Sequence, residues 1–540
     1  MSVGMLRTGG VAAFLLLGSV PTMADDPPQT DIGRVSTGAK NAVEQTVVKP
    51  SPTVDRAAAV AEKQQAPNVI DVQPLSEIIK LPDINMAEAL QRMPGISLET
   101  DSGEGRFVHI RGLDADLNGT TYGGVRLPAS NPSSPSGGGR AVAFDTFPTG
   151  IIGGVELTKT SRPDMDAEAL GGSINLVPRT GAEHGGAPFL DADLGTGYEP
   201  LRETPVYHAE VSAGRSFDGG DGIGGLFSGA NAFSAVVSVV YHQDSRGIDD
   251  VEESYTDQQS SGVPDKVLSN LQFRRYEYHR KRYGAAANFD AKASENTSLY
   301  LRVLYSGYTE AADKHYLVLN NLDSNSGCMP LPSCIQDPNN PNGFIASGAG
   351  LEQDTTDSLE RIQNGLGMVG GSSVFSGFKL DYHASFALGT DRVSTSYGSA
   401  WTDPNTVPIA YDTTTDPRFP SFHTLDGTNP ANPANYTLQS IGLGDSFAHD
   451  GETAAALDAT IPMGSGDNTE ELKFGLSLRD RHKTNQSSSP VFTPNGTIPL
   501  TPYTYGSSQV YYNNLYNIGP AISLVSVRNL ANGPSASSSS

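Results

Sequence analysis

The side chains whose type and spacing come closest to chemistry are three carboxylates, Asp164, Asp166 and Glu168, set just before Leu170-Gly171-Gly172. Alternating carboxylates offer hard oxygen ligands to a divalent cation; a solvated acidic turn is the plainer reading. Cys328 and Cys334 lie in CMPLPSCIQDPNNPNG, a loop by its Pro, Asn and Gly content. Without nearby histidines they make a poor metal site, and a disulfide closing that loop is the leading reading in an oxidising compartment. The ten histidines are scattered, and His109 and His383, both on predicted strands, read as polar-face residues rather than ligands. Arg111, in HIRGL, carries a guanidinium suited to paired contacts with buried carboxylates. HExxH, CxxC, Walker and GxSxG patterns do not occur. A non-enzymatic protein with no cofactor and no metal is therefore expected.

The elements that would position these groups run from Ile84 to Arg179. INMAEALQRMPG opens the stretch: Asn85 followed three residues later by Glu88 is a capping-box spacing, Met86, Leu90 and Met93 share a helical face, and Pro94-Gly95 stops the helix. Short predicted strands joined by glycine turns follow, in FVHIRG (107–112), GGVRLP (123–128), IIGGVELTKT (151–160) and EALGGSINLVPR.

In this order and spacing, from about Leu75 to Arg179, the motifs resemble the plug domain of TonB-dependent outer-membrane receptors. Tyr122-Gly123-Gly124 departs from the family's usual short apolar residue, Asn and Gly, which blurs one turn. The resemblance implies that Arg111, Gly112, Gly171 and Gly172 form the plug's structural motif, with Arg111 anchoring the plug to the barrel wall. It places ligand contacts at the plug apex, around Asp101, Glu104, Arg106, Asn131 and Arg140. It also implies TonB, with its inner-membrane energising complex, as partner, reached through a short β-prone box. Gln45-Thr46-Val47-Val48 is the leading candidate and Asn68 to Val72 the competing one; strand addition needs extended backbone more than particular side chains.

Read from its start, the chain places Arg7 before an apolar run, Val11 to Leu17, then Thr22-Met23-Ala24, the zones of a cleavable signal peptide over residues 1–24. Residues 25–68 are polar and rich in Ala, Gln and Pro, and read as a flexible periplasmic tail. The plug is assigned to 69–180. The net charge of −24 argues against a nucleic-acid partner, because binding phosphate takes clustered Lys and Arg. Fifty-nine glycines and 21 tyrosines favour turns and strands over helices.

After Arg179 the pattern becomes two-residue alternation. Tyr207 to Ala213, Tyr283 to Ala291, Leu299 to Tyr305, Leu380 to Leu388 and Leu472 to Leu478 each set apolar against polar positions. Strands of about ten residues with one apolar and one polar face suit a membrane barrel, in which every backbone group must be paired. Tyr207, Tyr241, Tyr283 and Tyr305 are placed near strand ends as an aromatic girdle, and 322–351 and 402–435 as external loops. The resulting fold class is mainly β: a small α+β plug domain followed by an incomplete antiparallel transmembrane β-barrel over 181–530. It is called incomplete because eight clear and three weaker strands are counted where the resemblance implies about 22. The low-complexity tail, 531–540, ends in GPSASSSS rather than an aromatic strand.

The function these readings imply is energised uptake of a scarce small-molecule ligand, an iron complex, cobalamin or an oligosaccharide, across the outer membrane, with outer-membrane lipid around the barrel. A passive diffusion barrel with a static plug, or a fragment without function, are the alternatives.

Overall fold

Asn85 starts the helix that its spacing predicts: its side chain is fully buried and its Oδ1 accepts from the Glu88 amide at 3.1 Å, capping α3 (Met86–Leu90). Glu88 does not close the box; its Oε1 reaches forward to accept from Gly105 N at 2.8 Å. Losing the cap leaves an orphan donor, so Asn85→Ala should cost about 1 kcal/mol of plug stability in denaturant unfolding. The computed structural model describes residues 56–81, 83–129, 139–181, 183–219, 232–260, 263–323, 337–463, 470–512, 514–531 and 536–539. The expectations for the signal peptide, for Gln45 to Val48, for Asn131 and for the Cys328–Cys334 bridge lie outside them.

The N-terminal unit comprises α1 (Arg56–Gln65), β1 (Ile70–Pro74), α2 (Leu75–Ile78), α3, β2 (Ile96–Asp101), β3 (Glu104–Ile110), β4 (Asn118–Tyr122), β5 (Val125–Arg126), β6 (Ile152–Thr158) and β7 (Gly172–Pro178). Its five-stranded sheet has the order β1-β6-β7-β4-β5, with β2 and β3 as a separate hairpin. Two expectations change here. Residues 56–65, inside the stretch read as flexible tail, are helical, and α1 is tied to the sheet by Lys63 bonding to Asp71. Ile70 to Val72, within the competing box, pair with Thr158 to Glu156, so this segment is already a strand of the plug.

The wall follows: β8 (Phe189–Glu199), β9 (Thr204–Phe217), β10 (Phe233–Ser260), β11 (Val263–Ser294), β12 (Thr297–Asn320), β13 (Phe344–Val374), β14 (Lys379–Thr402), β15 (Val407–Asp412), β16 (Ser421–Thr424), β17 (Thr437–Pro462), β18 (Glu471–Ser488), β19 (Val491–Pro494), β20 (Thr504–Tyr511), β21 (Tyr516–Ile522), α4 (Leu524–Ala531) and β22 (Ala536–Ser539). Neighbours from β8 to β14, then β17 and β18, pair antiparallel in one 13-stranded sheet. Among the described residues, β8 and β18 do not pair with each other, so the sheet is open. Ala536 to Ser539, in the segment read as a low-complexity tail, pair with β19.

The alternation read from the sequence sets the face of each strand. Leu299, Leu301, Val303 and Tyr305 on β12 are all exposed, as are Val237 and Val239 on β10, Phe386 on β14 and Leu472 to Leu478 on β18. Register brings these runs level: Tyr241 pairs with Tyr283, Ala285 with Tyr305, and Gly365 with Leu388. The result is a continuous outward apolar belt. Seven residues from Leu299 to Tyr305 give it a height of about 20 Å, near that of a membrane barrel's apolar band. The strands themselves are 24 to 32 residues long from β10 to β14, far beyond ten. Backbone pairing continues past the belt into sequence with no apolar alternation to report it. For the same reason Tyr241, Tyr283 and Tyr305 stand mid-strand, where belt gives way to polar extension. The ring planes of Tyr283 and Tyr305 stack at 5.8 Å.

The opposite face packs on the plug. Val240, Ala286, Leu304, Leu366, Met368 and Ala387, from five neighbouring strands, join Met86, Leu90, Phe147, Val155 and Leu176 of the plug in one core. Far along the strands a second core gathers Phe273, Leu317, Trp401, Tyr436, Tyr516 and Val527, where β15, β16, β20, β21 and α4 fold onto the extensions. The segments expected as external loops, 322–351 and 402–435, thus contain the start of β13 and all of β15 and β16.

Candidate functional site: the plug–wall interface

Ser102 and Gly103, with φ of 52° and 80°, turn the β2–β3 hairpin tightly and aim Glu104 at the wall. On β11, Arg280 and Arg282 are two residues apart and so share the inner face. Together with Arg246 on β10 they close on the one carboxylate. Arg280 Nη1 lies 2.8 Å and Arg282 Nη2 2.6 Å from Glu104 Oε2, and Arg246 Nη1 lies 2.6 Å from Oε1. Glu104 is 4 %, Arg280 1 % and Arg282 0 % exposed, so water takes little part.

A second plug segment completes the arrangement. Arg282 Nε donates to Asp145 O at 2.7 Å, and Arg280 Nη1 stands 3.4 Å from Asp145 Oδ2. Arg280 is further held by Glu310 at 2.6 Å and lies over the Tyr308 ring at 4.1 Å. Burial works against an ionised Glu104, and the guanidiniums of Arg282, Arg246 and Arg280 outweigh it, holding its carboxyl well below the usual range. Asp145 goes the other way: burial raises it, and Arg106, Arg280 and Arg282 recover only part.

Weaker ties ring the clamp. Asn364 Nδ2 donates to Thr146 Oγ1 at 2.8 Å, Tyr122 OH to Asn288 Oδ1 at 3.3 Å, and Arg126 sits 3.4 Å from Glu452. The acidic cluster belongs here too. Lys473 Nζ meets Asp164 at 2.8 Å, Arg479 meets Asp166 at 2.5 Å, and Glu168 is shared by Arg126 and Arg140 at 3.1 Å each. These carboxylates face wall and plug cations, and among the described residues no group of three or more His, Cys, Asp or Glu is arranged to hold a metal. Single substitutions among these half-exposed pairs should be mild. Lys473→Gln is expected to change unfolding stability by under about 1 kcal/mol.

The residues expected at a ligand-facing apex separate. Glu104 is buried in the clamp. Arg106 turns back onto Asp101, and Arg140 bonds Glu168 while its amide donates to Asp116 at 2.7 Å. Among the described residues, Arg111 bonds through its side chain within the plug rather than to the wall. It has φ 55°, and Nη2 donates to Gly171 O at 2.9 Å, closing the plug on itself. Gly112 follows at φ 74°. His109 is bonded locally, to Leu113 O at 3.1 Å. The wall arginines escaped the sequence reading. Their only local signal is parity: Arg280 and Arg282 share the face of Asn288, opposite the outward Tyr283 to Ala291 run.

Among the described residues, the charged groups of this interface are paired against one another across plug and wall. What it can do is hold: it is strong while water is excluded and separable without breaking a covalent bond.

Comparison with known proteins agrees with the geometry of the N-terminal unit. Residues 62–173 match the family model described as TonB-dependent Receptor Plug Domain. No curated protein matches the chain at a significant level. Among solved structures, the siderophore receptor PiuA from Acinetobacter baumannii is similar at 11 % identity and a TM-score of 0.29, over 80 % of this chain and 63 % of that one. The ferric citrate transporter FecA, unliganded, is similar at 10 % identity and 0.26, over 81 % and 76 %. The copper transporter OprC gives 10 % and 0.31, over 84 % and 66 %. This chain therefore spans a little under two thirds of the length of PiuA. The segment 62–173, with its hairpin, its mixed sheet and its seat against an antiparallel wall, is the part of this chain that matches the TonB-dependent receptor plug domain.

Proposed function

We propose that the chain is an outer-membrane receptor that takes up a scarce small-molecule ligand, an iron complex, cobalamin or an oligosaccharide, with energy delivered through TonB. Ligand binds from outside. TonB captures the N-terminal tail by strand pairing, and a pull on that tail draws the plug from its seat. The apolar belt faces outer-membrane lipid.

The observation that carries this reading is the character of the plug's upper contact. A static constriction is served by apolar packing alone. Here the apolar packing is joined by a carboxylate buried among three wall arginines, and charges of this kind regain hydration once displaced, so the contact is stiff in place and releasable under force. The tail attaches at the correct end for such a pull: α1 leads into β1, the edge strand of the plug sheet.

Cells in which this chain is the sole route for a compound should grow on at least one member of a panel of ferric chelates, cobalamin and oligosaccharides. Removing residues 25–55, which leaves α1 and β1 intact, should abolish that growth while the protein stays in the outer membrane. Undiminished growth would favour the passive barrel instead.

A further inference from the structure

The outer surface just above the apolar belt carries a row of cations with no ion-pair partner among the described residues. Register puts Gln243, Lys281, Thr309, Arg361 and Arg392 side by side across β10 to β14. Lys281, Arg361 and Arg392 are exposed, and among the described residues none is in an ion pair. Their parity is that of Tyr283 and Val303, so they project from the face opposite the plug. Arg361 and Arg392 are direct cross-strand partners, an arrangement of like charges that destabilises a sheet. The chain carries 60 acidic residues against 36 basic ones, so carboxylates are plentiful elsewhere. On this face Glu277 takes Arg275 at 2.6 Å and Asp357 takes Arg528.

The level of the row defines its partner. One step down the strands is the row Tyr241, Tyr283, Gly307 and Gln363. Gln363 Nε2 donates to the Tyr305 hydroxyl at 2.5 Å, and its other contact is the Tyr283 hydroxyl at 3.4 Å. Below those hydroxyls the exposed surface is Leu, Val and Phe. Tyrosine tips mark the plane where hydrocarbon meets headgroups, and two residues further along a strand is about 7 Å. That is the depth of a headgroup phosphate.

We infer that Lys281, Arg361 and Arg392 form a binding site for the phosphate of an outer-leaflet lipid headgroup. Two planar guanidiniums side by side can donate to one phosphate at once, and the anion removes the repulsion that the bare row carries. The inference rests on the proposed membrane setting of the belt.

The test uses the full chain reconstituted in phosphatidylcholine vesicles, with and without phosphatidic acid, and reads the lipid retained on re-extraction and the unfolding temperature. Wild type should retain phosphatidic acid about tenfold over phosphatidylcholine, as charge-assisted bonds of this kind warrant, with the preference fading in high salt. The double variant Arg361→Gln, Arg392→Gln should lose the preference, yet unfold no earlier than wild type in phosphatidylcholine. Arg418→Gln, in a distant loop, should change neither. A double variant that keeps the preference, a wild type that has none, or stabilisation by inorganic phosphate equal to that by the lipid would overturn the site. A chain that enters neither kind of vesicle overturns the membrane setting itself; entry into both without phosphate preference overturns only the lipid site.

Discussion

Replacing Glu104 by alanine should destabilise the seated plug by about 3–5 kcal/mol, the range for breaking a buried ion pair by removing one partner. The effect is large because the substitution strands cations as well as deleting an anion. Arg280 keeps Glu310, and Arg246 keeps Asp244 at 2.9 Å. Arg282 is left with the backbone oxygen of Asp145 in a site that is 0 % exposed. Glu104→Gln preserves shape and one acceptor and should fall between alanine and wild type. Asp145→Asn is the contrasting case. Its carboxylate is already disfavoured by burial, so the neutral amide should cost under about 1 kcal/mol. Protease sensitivity of the plug, together with denaturant unfolding, distinguishes the two positions.

The same clamp has a defined pH dependence. Because the Glu104 carboxyl is depressed in the folded state, its contribution is complete above the unfolded value of about 4.3 and is lost only as pH falls through the lower folded value. The stability difference between wild type and Glu104→Gln should therefore stay flat between about pH 5 and 7. A difference that shrank steadily over that window would show the carboxylate to be less firmly held.

Gly172→Ala is the second substitution expected to act strongly, costing about 2–4 kcal/mol through two separate penalties. Gly172 has φ 150°, which side chains rarely adopt, and a Cβ there would stand 2.8 Å from Thr158 O and 3.0 Å from Ile110 Cδ1. Neither neighbour gives way easily: Thr158 O belongs to the adjoining strand β6, and Ile110 is fully buried. Gly124→Ala serves as the control. Its φ is 87°, but nothing lies within 4 Å of the added carbon, so only the backbone term of about 1 kcal/mol remains. Equal losses at the two positions would show that the close approach around Gly172 does not matter.

What the sequence disclosed follows the range over which each interaction acts. Asn85 caps a helix three residues away, and the outward Leu299, Leu301 and Val303 need only parity along one strand. Gly171 and Gly172 announced a tight place in the backbone. The clamp gave no such notice, because Glu104 and its arginine partners Arg280 and Arg282 are 176 and 178 residues apart, and only the register of the wall brings them together. Arg111 is the converse case. A guanidinium in a plug motif suggested a wall contact, whereas a left-handed backbone at Arg111 and Gly112 turns it onto Gly171 O. Strand length was misjudged for a related reason: apolar alternation reports the belt, and hydrogen bonding carries the strands on without it.

The most direct test of a plug moved through its tail is capture of the purified periplasmic domain of TonB by the full chain in detergent. The full chain should retain that domain, and the chain lacking residues 25–55 should not, while its plug remains protease-resistant. Equal retention by both, or none by either, would contradict the account.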